Sequence, residues 1–122
     1  MDDKELLTLA AKAAGIRQVW VETSLISEWV LLDSDNKEIF SWNPLTDDGD
    51  ALRLAVKLLI ELNHNHFQQT VDAYYSPDFS QKTIKLTEDY GNDPYAATRR
   101  AVTRAAAEIG KEKNKEKQND KT

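Results

Sequence analysis

Residues 93–110 (DPYAATRRAVTRAAAEIG) constrain the fold most, because a helix faced with alanine is buried only where its neighbour's backbone comes very close. Asp93 is a natural N-cap, and Pro94 falls at the first helical position, where a missing amide donor is harmless. Val102, Ala105, Ala106 and Ile109 share one face, and the small alanines among them admit a sheet at short range. Gly110 is expected to end this helix in the left-handed conformation that favours glycine.

The chain upstream divides into short periodic segments. A first helix is predicted over residues 3–14, capped by Asp3 and stopped at Gly15, with Leu6, Leu7, Leu9, Ala10, Ala13 and Ala14 along a stripe. Residues 17–23 (RQVWVET), 25–32 (LISEWVLL) and 38–42 (EIFSW) read as strands. Between the last two, DSDNK at 33–37 supplies turn chemistry for a hairpin. After Asn43-Pro44 a second helix is expected, capped by Thr46 or Asp47, with Leu52, Ala55, Val56, Leu59 and Leu62 on its buried face. Residues 67–75, with Phe67, Val71, Ala73 and Tyr75 of one parity, predict a fourth strand. Beyond the turn Ser76-Pro77-Asp78, a fifth strand turns Ile84 and Leu86 inward.

The expected order is therefore α-β-β-β-α-β-β-α. Strands joined by a few residues must pair antiparallel, since parallel neighbours need a long crossover. The fold class is α+β: one antiparallel sheet of four to five strands packed with three helices, an αβα-type sandwich, its core including Leu52, Leu59, Val102 and Ile109.

A chain of 122 residues holds one hydrophobic core. Residues 1–110 are read as that single domain. Residues 111–122 (KEKNKEKQNDKT) contain no hydrophobic residue to offset the cost of ordering and are read as a disordered charged tail. The tail sets five Lys against Glu112, Glu116 and Asp120, so a chain total of −5 leaves −7 on the first 110 residues. Such a body repels nucleic acid at long range. The absence of cysteine excludes disulfides and thiolate metal sites, and the acidic start MDDKELL is unlike a signal peptide or membrane anchor. These features predict a soluble protein of the cytoplasm.

Two segments carry a resemblance. Residues 42–58 (WNPLTDDGDALRLAVKL) and 93–110 together resemble the phage ABA sandwich domain, a family found in small proteins of tailed phages and prophages. In that family an aromatic residue and Asn-Pro-x-Thr-Asp lead into an amphipathic helix, and strands and an Ala-rich helix with an Arg-Ala pair follow. Here Trp42, Asn43, Pro44, Thr46 and Asp47 match the first motif, and residues 93–110 supply the Ala-rich helix. The resemblance implies a layered sandwich and a phage or prophage origin. It implies no activity, because the family has no assigned reaction or catalytic residues.

The remaining clusters have structural readings. Asp47, Asp48 and Asp50 suggest a cation site, but they lack a calcium loop's glycine position and distal Glu, and a helix's first turn favours acids anyway. His64 and His66 could form half a zinc site if Asp72 or Glu61 completed it, but the spacing names no third ligand. Ser24, Ser27, Ser76 and Ser80 lack a nucleophile elbow, and the four glycines are isolated. The opening α-β-β-β-α order invites comparison with a double-stranded-RNA-binding domain, which needs basic residues where this chain has Asp47-Asp48-Gly49-Asp50. Most of Trp20, Trp29, Trp42, Tyr74, Tyr75, Tyr90 and Tyr95 are expected in the core, with one of Tyr74 and Tyr75 facing outward.

No catalytic, cofactor or metal site is predicted, and the chain is read as not an enzyme. The expected function is a phage-encoded accessory protein of the host cytoplasm, a non-catalytic protein-binding or regulatory module. Its partner would be a host factor or a second copy, and Tyr74, Arg99, Arg100 and Arg104 are candidate interaction residues. The alternative is a nucleic-acid role, through the last helix and Lys-rich tail or through acidic mimicry of DNA. On that alternative Arg99, Arg100 and Arg104 touch phosphates; on the first reading they lie on a solvated face, where Arg104 can pair with Glu108 one turn away.

Overall fold

A computed structural model describes residues 1–25, 27–39, 41–76 and 83–119. In chain order the elements are α1 (Asp3–Ala13), β1 (Arg17–Glu22), β2 (Ser27–Leu32), β3 (Glu38–Ile39), α2 (Asp48–Leu58), β4 (Glu61–Asn65), β5 (Thr70–Tyr75), β6 (Ile84–Asp89) and α3 (Pro94–Asn119). The class is α+β, as expected. The strands, however, form two antiparallel three-stranded sheets, β1-β2-β3 and β4-β5-β6, instead of one. The extra strand β4 lies in ELNHN, where Leu62 was expected to continue the buried face of the second helix; that helix ends at Leu58. The single apolar residue of β4 gives no alternation to read, and the strand owes its place to pairing with β5, from Glu61 opposite Tyr74 to Asn65 opposite Thr70.

Local chemistry sets most element ends. Asp2, one residue before the expected Asp3, caps α1 by accepting from the Glu5 amide at 2.8 Å, and Gly15 follows the helix at φ 75°. The Asp33 carboxylate accepts from the Asp35 and Lys37 amides at 2.8 and 2.9 Å, and Asn36 takes a left-handed φ of 64°, which closes the β2–β3 hairpin. Those amides, Lys37 foremost, hold the Asp33 carboxyl below its ordinary pKa. Asp47 caps α2 and Asp93 caps α3, the latter accepting from the Tyr95 and Ala96 amides at 3.1 Å. Phe67 lies in the turn between β4 and β5 and is exposed, outside the strand it was expected to begin. The side chains of Trp20 and Trp29, with Pro77, Asp78 and Ser80, lie outside the described residues.

The core gathers around α3. Its Ala101, Val102, Ala105, Ala106 and Ile109 are buried against Val71 and Ala73 of β5, Leu54 and Ala55 of α2, and Ala10 and Ala13 of α1. Two expectations are corrected. Leu52 and Leu59 are not core residues: the buried face of α2 is Ala51, Leu54 and Ala55, followed by Ile60. The sequence carries apolar residues on two faces of this helix, and α3 takes the one whose alanines allow closer approach. Leu59 is displaced further because it ends the helix at φ 57°.

Nor does Gly110 end α3, which continues to Asn119. Gly110 is instead buried where α3 crosses α1. A Cβ there would sit 2.2 Å from the carbonyl oxygen of Leu9 and 2.9 Å from its carbon. Just beyond the crossing, Lys113 Nζ donates to the Ala13 carbonyl at 2.8 Å, closing the C-terminal end of α1, and Lys12 reaches Asn114.

Two outcomes follow for stability. Leu54→Ala should cost about 2–5 kcal/mol through lost burial and a cavity, and Leu59→Ala less than about 0.5 kcal/mol in the same urea titration. Equal losses would mean that α2 is turned differently. For Gly110→Ala, helix propensity favours alanine by about 1 kcal/mol, but the contact is with backbone, which cannot swing aside. A net loss of about 1–3 kcal/mol is expected. A gain in unfolding midpoint would refute the close crossing.

Candidate functional site

Because α2 turns its alanine face to α3, its second apolar face looks outward. Leu52, Val56 and Leu59 are 64%, 66% and 79% exposed. Beside them, between α2, the inner face of β4 and the first turns of α3, runs an open groove of about 520 Å³. Leu52 and Ala55 form one wall, Leu62 and His64 another, and Tyr95, Thr98 and Val102 of α3 the third. Tyr95, one of seven aromatic residues of which most were expected in the core, is 70% exposed at the rim.

The polar groups of the groove are already engaged within the chain. Arg99 donates to Asp48 at 2.6 Å and to the Leu45 carbonyl at 2.9 Å, so a neutral pair closes one end. Thr98 donates its hydroxyl to the Pro94 carbonyl at 2.7 Å, and His64 Nδ1 meets the Tyr90 hydroxyl. Such a groove suits apolar side chains, held by burial and by shape.

The residues singled out from the sequence are distributed elsewhere. Of the three acids, Asp47 accepts from the Asp50 amide at 2.8 Å. Asp50, buried, accepts from the Asn43 amide at 2.9 Å and from Arg53 at 2.7 Å, while Asp48 holds Arg99. They tie the chain before α2 to the helix and to α3. His64 and His66 are separated, because β4 ends at Asn65 and His66 lies in the turn, its ring against Phe67. Asp72 and Glu61 have the opposite strand parity to His64 and so lie on the other face of the sheet. Among the described residues no three His, Asp or Glu side chains converge.

The arginines are also drawn into the fold. Arg100 pairs with Asp3 at 3.1 Å and approaches Glu88 at 3.8 Å. Arg104 pairs with Glu88 at 2.7 Å, not with Glu108 as expected; Glu108 instead accepts from Lys111 at 3.1 Å. Glu88 lies on β6 beneath the helix, a tertiary proximity that the spacing of residues along α3 cannot reveal. Tyr74 is half-buried on the outer face of the β4-β5-β6 sheet, its hydroxyl 3.4 Å from Asp72 and its ring 5.8 Å from Lys85 Nζ. Tyr75, of opposite parity, packs on the core, so the expectation that these two tyrosines face opposite ways is met.

The groove was missed because Leu52, Val56 and Leu59 satisfy helical periodicity as well as the residues that are buried. The available signal was the excess: apolar residues cover more of α2 than one neighbouring helix can bury. Comparisons with models of known protein families, with characterised proteins and with solved structures found no match. Among the described residues no helix is long and apolar enough to cross a membrane.

Replacing Arg99 by Met keeps the length of the side chain and removes both of its hydrogen-bonded contacts. A loss of about 1–3 kcal/mol is expected from the unpaired Leu45 carbonyl and Asp48. An unchanged melting curve would free Arg99 for a role outside the fold.

Proposed function

We propose that this chain is a non-catalytic protein-binding module whose docking face is the groove between α2, β4 and α3. One observation carries the reading: Leu52, Val56, Leu59, Leu62 and Tyr95 are exposed together beside a formed apolar cleft. Contiguous apolar surface of this kind marks interaction sites in soluble domains, where single exposed hydrophobic residues do not. The internally paired polar groups of the groove support binding over catalysis. The arrangement of Arg99, Arg100 and Arg104, each spent on an acid of the same chain, gives the nucleic-acid alternative little to work with. The phage or prophage setting and a place in the bacterial cytoplasm belong to this proposal and rest on the resemblance of residues 42–58 and 93–110.

Leu52→Glu combined with Val56→Glu places two charges on the docking face without touching the buried side of α2. In a pull-down from bacterial lysate to which the untagged chain is added, the tagged double variant should lose its stoichiometric protein partner, second copy or host protein, with affinity down at least about tenfold, and nuclease should not affect capture by the native chain. Identical capture by native chain and variant would place the binding face elsewhere. Recovery that depends on nucleic acid would favour the alternative.

A further inference from the structure

The docking face proposed above borders a strand edge that no described residue pairs with, and the inference rests on that reading. Among the described residues β4 is an outer strand of its sheet, with β5 on one side only. It carries no Pro and no Lys, residues that commonly block edge pairing, and its one charge is Glu61. At the other edge of the same sheet, β6 carries Lys85, and Arg104 reaches over to the Thr87 carbonyl at 3.4 Å.

We propose that the occupant of this face is a second copy of the chain. The two copies are related by a two-fold axis, with β4 antiparallel to β4 and the outer faces of the two α2 helices in contact. The two sheets become one of six strands. In the register centred on Asn63, Glu61 faces Asn65 of the second copy and Leu62 faces its His64, so no like charges meet across the new edge. The same symmetry suits α2. Leu52 and Leu59 stand four before and three after Val56, so an antiparallel copy brings leucine to leucine around a central valine. Charge does not oppose the contact, because the first-turn acids are balanced within the chain: Asp50 is buried and paired with Arg53, and Asp48 with Arg99. The Asp48–Arg99 pair leaves that end of the groove neutral.

The test is sedimentation velocity of the full chain from about 1 µM to about 1 mM, with Leu52→Glu/Val56→Glu and Leu62→Lys beside the native protein. The native chain should shift from monomer to dimer with concentration, and each variant should raise the dissociation constant at least about tenfold. Circular dichroism melting establishes that the variants fold. If Leu62→Lys does not, hydrogen exchange of the native β4 amides, slower at the dimeric concentration than on dilution, takes its place. A native chain that stays monomeric throughout overturns the proposal, as does a dimer indifferent to the changes on α2 and β4. A monomer that still captures a lysate protein through Leu52 and Val56 overturns only self-association and leaves the docking face standing.

Discussion

The crossing of α1 and α3, where Gly110 meets the Leu9 carbonyl with no space for a Cβ, sets the distances on which the rest of the packing depends. An alanine seam gains little from each side chain, so it is stabilising only when backbones approach closely enough for many weak contacts to be made at once. Ala10 and Ala13 on α1, and Ala106 and Ala107 on the Gly110 side of α3, are all essentially inaccessible. With one side of α3 so occupied, its other sides are left for β5, β6 and α2. The helix is consequently buried nearly all round between Ala101 and Gly110, and even Thr103 is enclosed, its hydroxyl returned to the Arg99 carbonyl at 2.8 Å.

That central position explains where the charges go. A helix surrounded by neighbours has little free surface, and Arg99, Arg100 and Arg104 emerge at its margins beside acids from three other elements: Asp48, Asp3 and Glu88. Partly exposed pairs of this kind contribute little stability each. Their effect is directional, because each fixes the azimuth of α3 against α2, α1 or β6. The same logic places the acidic turn of α2. Asp50, nearly buried, joins the Asn43 amide to Arg53 and so holds the chain after β3 in the path that brings Pro44 inside.

The parts legible in the sequence are those decided locally. Gly15, Asn36, Asp47 and Asp93 act through capping and turn chemistry within a few residues, and each takes the role that chemistry assigns. The inner face of α3 was legible because its alanines and Val102 admit a single reading. What failed was choice among locally equivalent options. α2 has two apolar faces, and only the location of α3 decides which is covered. β4 has almost no pattern of its own and exists because β5 is there to pair with it. Gly110 looks like a helix stop, and its tertiary neighbour makes it a helix crossing. The groove was illegible for the same reason as Leu52 and Leu59: a surface made of leftover apolar residues is defined by what the core does not take.

Those leftovers bear on function, because α2 had a simpler solution available. Polar residues at positions 52, 56 and 59 would satisfy the fold as described, since none of the three is buried in it. Exposed leucine and valine at helical spacing add aggregation hazard and give the isolated chain no stability, so their presence is better accounted for by a surface that is covered part of the time. The net charge of −5 acts at longer range and in the other direction, holding molecules apart until two matching faces are aligned. Repulsion that is diffuse and attraction that is confined to one seam together favour a specific contact over a disordered one, because only the aligned encounter buries enough apolar surface to outweigh the approach.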